Sequence, residues 1–309
     1  YPYLEAGFDL PDPVPAELLM PFDRIVALHG LEDLVPLVFR FGQGLGDVMA
    51  KPAIYIMKNF GIDVINNIFK NSFLATTSQN NSQLYETATA HLGQDVLLNA
   101  TVVDVERGGS TLIRIATPQG LRTIRAKKIL YTAPPVAQNL ATFDLDNTER
   151  GLFNRFRPNY YYTGVLRLPG VPDDLAVRNI GADTPHHNPP LPGTYMILPT
   201  GVPQLHHVKY GSPTPLTDVQ VKANILAELG RLTAAGTIPA TQPKLEVFKS
   251  HSPFELTVSA SDIASGFYRK LYALQGHKNT FYTGAAFHTH DSSLLWQFTE
   301  KLLPALTTS

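Results

Sequence analysis

The chain has 309 residues, 44% hydrophobic and 17% charged, which is enough apolar material for a large buried core. Lys and Arg total 25 against 26 Asp and Glu, a net charge of -1, which argues against nucleic acid or an acidic membrane surface as partner. That balance leaves a small, neutral or weakly charged molecule as the expected partner, and the absence of cysteine excludes disulfides, thiolate metal sites and a cysteine nucleophile.

Residues 1 to about 70 read as a helical segment broken by Pro11, Pro13, Pro15, Pro21, Pro36 and Pro52, with Leu18, Leu19, Phe22, Ile25 and Val26 at helix-like spacing. Within it, Gly42-Gln43-Gly44-Leu45-Gly46-Asp47 superficially suggests a dinucleotide loop. The fingerprint needs a third glycine three places after the second, and that place holds Asp47, a carboxylate where pyrophosphate should sit. A glycine-rich helix connection is the better reading. Two sequons, at Asn80 and Asn99, would permit N-glycosylation in a secretory compartment. No stretch approaches the length of a membrane span.

A short amphipathic helix is predicted over 82–92, stopped by Gly93. Strands follow at 95–106, 111–116 and 121–131, the last running into Thr132-Ala133-Pro134-Pro135. Capping boxes, Asp146 with Glu149 and Thr217 with Gln220, open two further helices. Strands are predicted at 160–168, 194–198, 205–210 and 244–249, and a helix over 264–274. The chain closes with a strand at 280–283, a turn at Gly284, and a helix over about 292–306 that Asp291 should cap.

Three clusters invite chemistry. His288 and His290 with Asp291 are the best placed metal ligands, but no ligand spacing elsewhere completes the set, so no metal is expected. A hydrolytic triad lacks its Gly-x-Ser-x-Gly elbow. On the strand carrying Tyr160-Tyr161-Tyr162, alternation sends Tyr160 and Tyr162 to one face and Tyr161 to the other, as sheet packing or as the wall of a cavity. The closing strand, glycine and helix start form a unit to which a ligand could come close, because glycine admits near approach and free N–H groups carry the positive dipole end.

Together these units resemble the FAD-dependent amine-oxidase-like flavoproteins, in particular the fungal branch around β-cyclopiazonate dehydrogenase. The resemblance rests on LGQDVLLNATVVDVER (92–107), AKKILYTAPP (126–135) and NTFYTGAAFHTHDSSLLWQFTEKLLP (279–304). It implies a mixed α/β (α+β) fold in which an incomplete FAD/NAD(P)-binding Rossmann-like domain is interleaved with an amine-oxidase-type substrate domain. The implied division is a helical substrate-domain segment at 1–70, a second FAD-domain segment at 71–143, a substrate-domain sheet with helices at 144–250, and a closing FAD-domain segment at 251–309.

The resemblance places the cofactor's adenine end at Val102 and Val103, and brings Thr132, Ala133 and Pro134 near the cofactor. Gly284 and Ala285 would lie by the ribityl chain, and Asp291, Ser292, Ser293 and Leu294 at the flavin ring. Two departures stand out. Ala285 occupies the position of the usual carboxylate after the glycine, and no lysine falls in 159–163, where many amine oxidases hold one near flavin N5. The glycine-rich first FAD segment does not occur in these residues, so FAD binding by this polypeptide alone is expected to be weak or absent. The implied activity is hydride transfer from a small organic substrate to flavin N5, with Tyr160, Tyr162, Tyr195 and His207 as candidate substrate-wall residues. The alternative is a degenerate, non-catalytic binding or scaffold module.

Overall fold

A computed structural model describes residues 1–308. The amino-terminal helical layer comprises α1 (Ala16–Leu19), α2 (Phe22–His29), α3 (Val35–Phe41), α4 (Ala53–Asn59) and α5 (Ile62–Lys70). Its prolines punctuate it: Pro15, Pro21 and Pro52 stand at N-caps and Pro36 lies in the first turn of α3. A proline there loses no helical hydrogen bond, because the first N–H groups of a helix have no internal partner.

Next come α6 (Ser82–Leu92) and the antiparallel meander β1 (Thr101–Glu106), β2 (Thr111–Thr117) and β3 (Gly120–Ala126). A separate two-stranded parallel sheet pairs β4 (Ile129–Tyr131) with β11 (Thr280–Tyr282). The strand predicted over 121–131 is therefore two strands, because its halves pair in different sheets and in opposite senses. The strand predicted from 95 starts only at Thr101, where pairing with β2 begins, after Asn99 with φ +53°.

Helix α7 (Asn147–Phe153) starts at the predicted Asp146–Glu149 capping box. The large sheet has the order β10 (Phe254–Thr257), β5 (Arg157–Arg167), β8 (Leu205–Ser212), β7 (Gly193–Pro199) and β6 (Val177–Arg178), and β9 (Lys244–Ser250) also pairs with β5. Helix α8 (Asp218–Ala234), opened by the Thr217–Gln220 box, buries Val221, Ile225 and Leu229 in a core with Tyr162, Leu166, Val208 and Tyr210 of the sheet. The helix predicted over 264–274 is α10 (Phe267–Tyr272), which Gly266, with φ +76°, separates from a preceding short helix α9 (Ala260–Ala264). The terminal helix divides into α11 (Ser292–Glu300) and α12 (Leu303–Thr307).

A second, larger core joins the helical layer to α9, α10 and the end of β11 through Val26, Val38, Ile54, Phe267, Tyr282 and Phe287. A buried cation ties the meander to it, beside the backbone bridge between Val105 and Phe143. Arg107 donates to Glu149 at 2.7 and 2.8 Å, to Asp144 Oδ1 at 2.6 Å and to Tyr282 OH at 3.2 Å. Elsewhere the same region is open: Leu84, Tyr85 and Leu98 are exposed large apolar residues on and around α6. Among the described residues, no helix is long and apolar enough to cross a membrane.

Candidate functional site

Where β4 and β11 end side by side, the chain leaves both strands at one edge. Thr283 N–H donates to Tyr131 O at 3.0 Å, and the backbone then turns at Gly284 with φ +108°. A Cβ on Gly284 would stand 2.8 Å from Thr132 O, so only glycine lets the two strand ends approach this closely. Thr132 and Ala133 are exposed beside it, with Ala285 half-buried next along the chain. The carboxyl ends of parallel strands are where open α/β sheets take their ligands. Val102 and Val103 lie away from this junction on the meander, 39% and 43% exposed.

Asp291 caps α11 as expected, but Asp291 Oδ1 accepts from Ser293 N at 2.9 Å and Leu294 N at 3.1 Å. Two of the N–H groups expected to be free are thus already used. Leu294 also lines a cleft of about 360 Å³ with Leu4, Lys58 and Phe60.

The loop between these two features carries His288, Thr289 and His290, and each plugs into a different partner. His288 Nδ1 lies 2.9 Å from Lys58 Nζ and His288 Nε2 2.9 Å from Glu5 O. Thr289 Oγ1 donates to Asn59 Oδ1 at 3.0 Å, and His290 Nε2 faces the N–H of Glu255 at 3.4 Å. Burial lowers Lys58 to about 7 and both imidazoles to about 4, so the histidines are neutral near pH 7. With both nitrogens of His288 engaged and Asp291 capping a helix, these residues do not form the converging ligand set that their spacing raised. Among the described residues, Asp146, Glu149 and His277 do converge, but Glu149 is already held by Arg107, Tyr282 and Asp146 N.

The glycine run 42–46 is a helix connection. A Cβ on Gly44 would meet the Phe254 ring at 2.5 Å, and one on Gly46 would meet Asn159 Oδ1 at 2.5 Å. These glycines bring the backbone against β5 and β10. What they pack on is an aromatic row: His290 on Phe254 (4.1 Å between ring centres), Phe254 stacked on Tyr161 (5.1 Å), Tyr161 near Tyr195 (6.2 Å), and Tyr195 edge-on to Phe39 (5.4 Å). At its far end is a pocket of about 190 Å³ lined by Phe39, Gln43, Tyr195 and Met196, into which Arg40 and Arg178 also reach. Gln43 Oε1 is buried without a hydrogen-bond partner, an acceptor available to a ligand's N–H or O–H.

The wall candidates fall on both faces of the sheet. Tyr195 lies in the row, and His207, opposite Val165 and two residues from Lys209, shares the face of Tyr161. Tyr160 and Tyr162 face the other way. Tyr162 is buried under α8 with its hydroxyl donating to Leu216 O at 2.9 Å, and with Tyr160 it lines a separate cleft of about 430 Å³. Alternation along β5 was read correctly; which face carries the row depends on β10 and the glycine connection. Sequence reasoning passed over Phe254, Glu255 and Lys58, and weighed Tyr161 without choosing it as a wall residue. Only Tyr161 had a signal, as the odd member of its trio.

No family model matches the chain. It is 35% identical over 310 residues to an FAD-dependent oxidoreductase of Colletotrichum higginsianum, covering 96% of this chain and 65% of that one. It is 31% identical over 312 residues to β-cyclopiazonate dehydrogenase of Aspergillus oryzae, covering 99% and 67%. The chain thus spans about two thirds of the length of the curated relatives it matches. Its fold is that of a fatty acid isomerase from P. acnes that produces CLA (TM-score 0.79, 19% identity, covering 100% of this chain and 71% of that one). It is also that of cyclohexylamine oxidase from Brevibacterium oxydans (TM-score 0.56, 15% identity, 98% and 72%).

Proposed function

The chain belongs to the family of fungal FAD-dependent oxidoreductases that includes β-cyclopiazonate dehydrogenase, and on that premise we propose that it builds the substrate wall and the ring-side part of the cofactor site of such an enzyme. The observation that carries this reading is the Gly284–Thr132 junction, a side-chain-free approach at the carboxyl ends of two parallel strands. On that geometry the residues present fit one end of an FAD: Thr132, Ala133, Gly284 and Ala285 would hold it through backbone and small side chains. FAD, when bound, supplies a hydride acceptor.

The chain's own residues contribute positioning. The pocket at the Tyr195 end of the row, walled by Phe39, Tyr195 and Met196, offers a largely apolar space for a small organic substrate, and Gln43 Oε1 would accept a hydrogen bond from it. No acid or base is demanded where positioning supplies most of the rate. Beyond the junction, β4 pairs only with β11 among the described residues. The scaffold reading is less favoured, because the relatives are named as oxidoreductases.

The test is a titration with FAD, followed by flavin fluorescence, of the wild type and Gly284→Val. Weak binding that Gly284→Val abolishes supports the reading. Equal binding by both, with Thr132 and Gly284 unmoved in NMR spectra, would refute it.

A further inference from the structure

The pocket at the Tyr195 end of the row has walls that the backbone holds in place. Asn179 N–H donates to Tyr195 O at 3.0 Å and Asn179 Nδ2 to Thr194 O at 2.9 Å, which ties the segment after β6 to β7. Gly181 N–H donates to His187 O at 3.1 Å, and His187 Nδ1 lies 3.0 Å from Gly181 O, so the loop that returns to the pocket is closed on itself. His186 and His187 both stand in the left-handed region, at φ +54° and +55°, a strained pair of non-glycine residues of the kind found at binding sites. Gly44 N–H reaches Tyr195 OH at 3.4 Å, which seats the glycine connection, and with it Gln43, against β7.

Two features of this pocket have no partner in the chain. The first is the Gln43 amide. Its Nε2 faces Met196 Sδ at 3.8 Å, and a thioether sulfur can only accept, so the amide nitrogen belongs on that side. Oε1 is then left buried with no donor, a cost that a ligand's O–H or N–H would remove. The second is a pair of cations. Arg40 of α3 and Arg178 of β6 line the pocket as exposed residues, and among the described residues neither guanidinium belongs to an ion pair. No carboxylate lines the pocket. Its volume of about 190 Å³ lies below the ~300–1,000 Å³ of pockets for drug-sized ligands, so the occupant is small.

We propose that this pocket takes a small apolar carboxylic acid carrying an O–H or N–H donor, with the carboxylate met by Arg40 and Arg178 and the donor by Gln43 Oε1. The proposal rests on the reading of this pocket as the substrate pocket, and it names the substrate class. Burial orders the two ends: the exposed guanidiniums meet the anion at the mouth, where it keeps part of its hydration, and the buried Oε1 meets the donor inside. A guanidinium presents a planar fork of donors that matches a carboxylate, and Phe39, Tyr195 and Met196 cover the apolar body between the two ends.

Binding is read with no cofactor present, from the ¹³C-labelled methyl group of Met196, one of 4 methionines in the chain. p-Hydroxyphenylacetate should shift it and bind about tenfold more tightly than p-hydroxyphenylethanol, which keeps the ring and hydroxyl and lacks the charge. That preference should vanish in the double variant Arg40→Met with Arg178→Met, whose changes lie at exposed positions. Phenylacetate, which lacks the hydroxyl, should bind the wild type about fivefold more weakly than p-hydroxyphenylacetate, and the two should bind alike to Gln43→Leu. A preference for the acid that survives the loss of both arginines, or a hydroxyl effect unchanged in Gln43→Leu, would overturn the proposal. If the alcohol binds as tightly as the acid and both shift Met196, the substrate-pocket reading stands and the assignment of an anion falls. If no probe shifts Met196 at about 10 mM, well above the ~1 mM of a weak complex, the substrate-pocket reading falls and the proposal with it.

Discussion

Replacing Glu149 with Gln tests whether a buried ion pair locks the meander to β11. Both side chains of the Arg107–Glu149 pair are 0% exposed, with bonds of 2.7 and 2.8 Å, and Tyr282 OH donates to the same carboxylate at 2.8 Å. Gln keeps the volume, removes the charge, and turns one acceptor into a donor facing Arg107. Removing one partner of a buried pair costs about 3–5 kcal/mol, because the other charge is left uncompensated. Asp144, 2.6 Å away and 35% exposed, still faces Arg107, which places the expected loss near 3 kcal/mol, a large share of the ~5–15 kcal/mol typical of a fold. Urea unfolding followed by circular dichroism measures it, and Arg107→Met with Glu149→Leu together should cost well below the sum of the single changes. The acid limb carries the same signature. Burial alone would raise the Glu149 carboxyl, but hydrogen bonds from Arg107 outweigh it and hold it below the usual range, as they do for Asp144. A carboxyl depressed in the folded state adds stability above its unfolded pKa and loses it as pH falls through the folded value, so Glu149→Gln should flatten the decline below about pH 4. A loss under about 1 kcal/mol, or strict additivity in the double variant, would refute the reasoning.

Three further outcomes are expected. Gly44→Ala puts a Cβ 2.5 Å from the Phe254 ring at a backbone φ of +96°, so it should cost about 1–3 kcal/mol and disturb the aromatic row, read as a change in near-ultraviolet circular dichroism. Lys58, lowered by burial to about 7, is less protonated folded than unfolded between that value and about 10.4. Stability should therefore rise with pH across that window, and Lys58→Met should remove the slope in urea titrations run from pH 7 to pH 9. Tyr162→Phe deletes the hydrogen bond to Leu216 O and should cost about 0.5–1.5 kcal/mol of stability while leaving ligand affinity unchanged, since its ring lies on the α8 side of the sheet.

The legible parts of this chain are those with local causes. The capping boxes at Asp146 and Thr217, the Asp291 cap and the alternation of Tyr160 to Tyr162 each follow from residues a few positions apart, and each stands in the structure. The strand over 121–131 had an unbroken β-forming pattern, yet its division at Lys127-Lys128 comes from a partner about 150 residues away in β11. Short β10 was invisible for a related reason: four residues, one of them a glutamate at positive φ, carry no period, and their conformation is set by Asn159 and His290.

The same distinction explains the histidines. In the sequence, His288 and His290 two apart with Asp291 adjacent can be weighed only as neighbours of one another, and as neighbours they suggest a shared ligand. In the fold their partners are Lys58, Glu5 and Glu255, residues from 35 to 283 positions distant, and Thr289 between them joins Asn59. Three consecutive side chains thus fasten the loop after Gly284 to α4, to the start of the chain and to β10. The loop that would meet a cofactor is thereby held by the elements that would meet a substrate, so a change at Glu255 or Lys58 acts on both sides of the junction at once. A cluster of polar residues on a closing motif need not share one ion or one reaction; here its members diverge, and their divergence sets the distance between the Gly284 turn and the aromatic row.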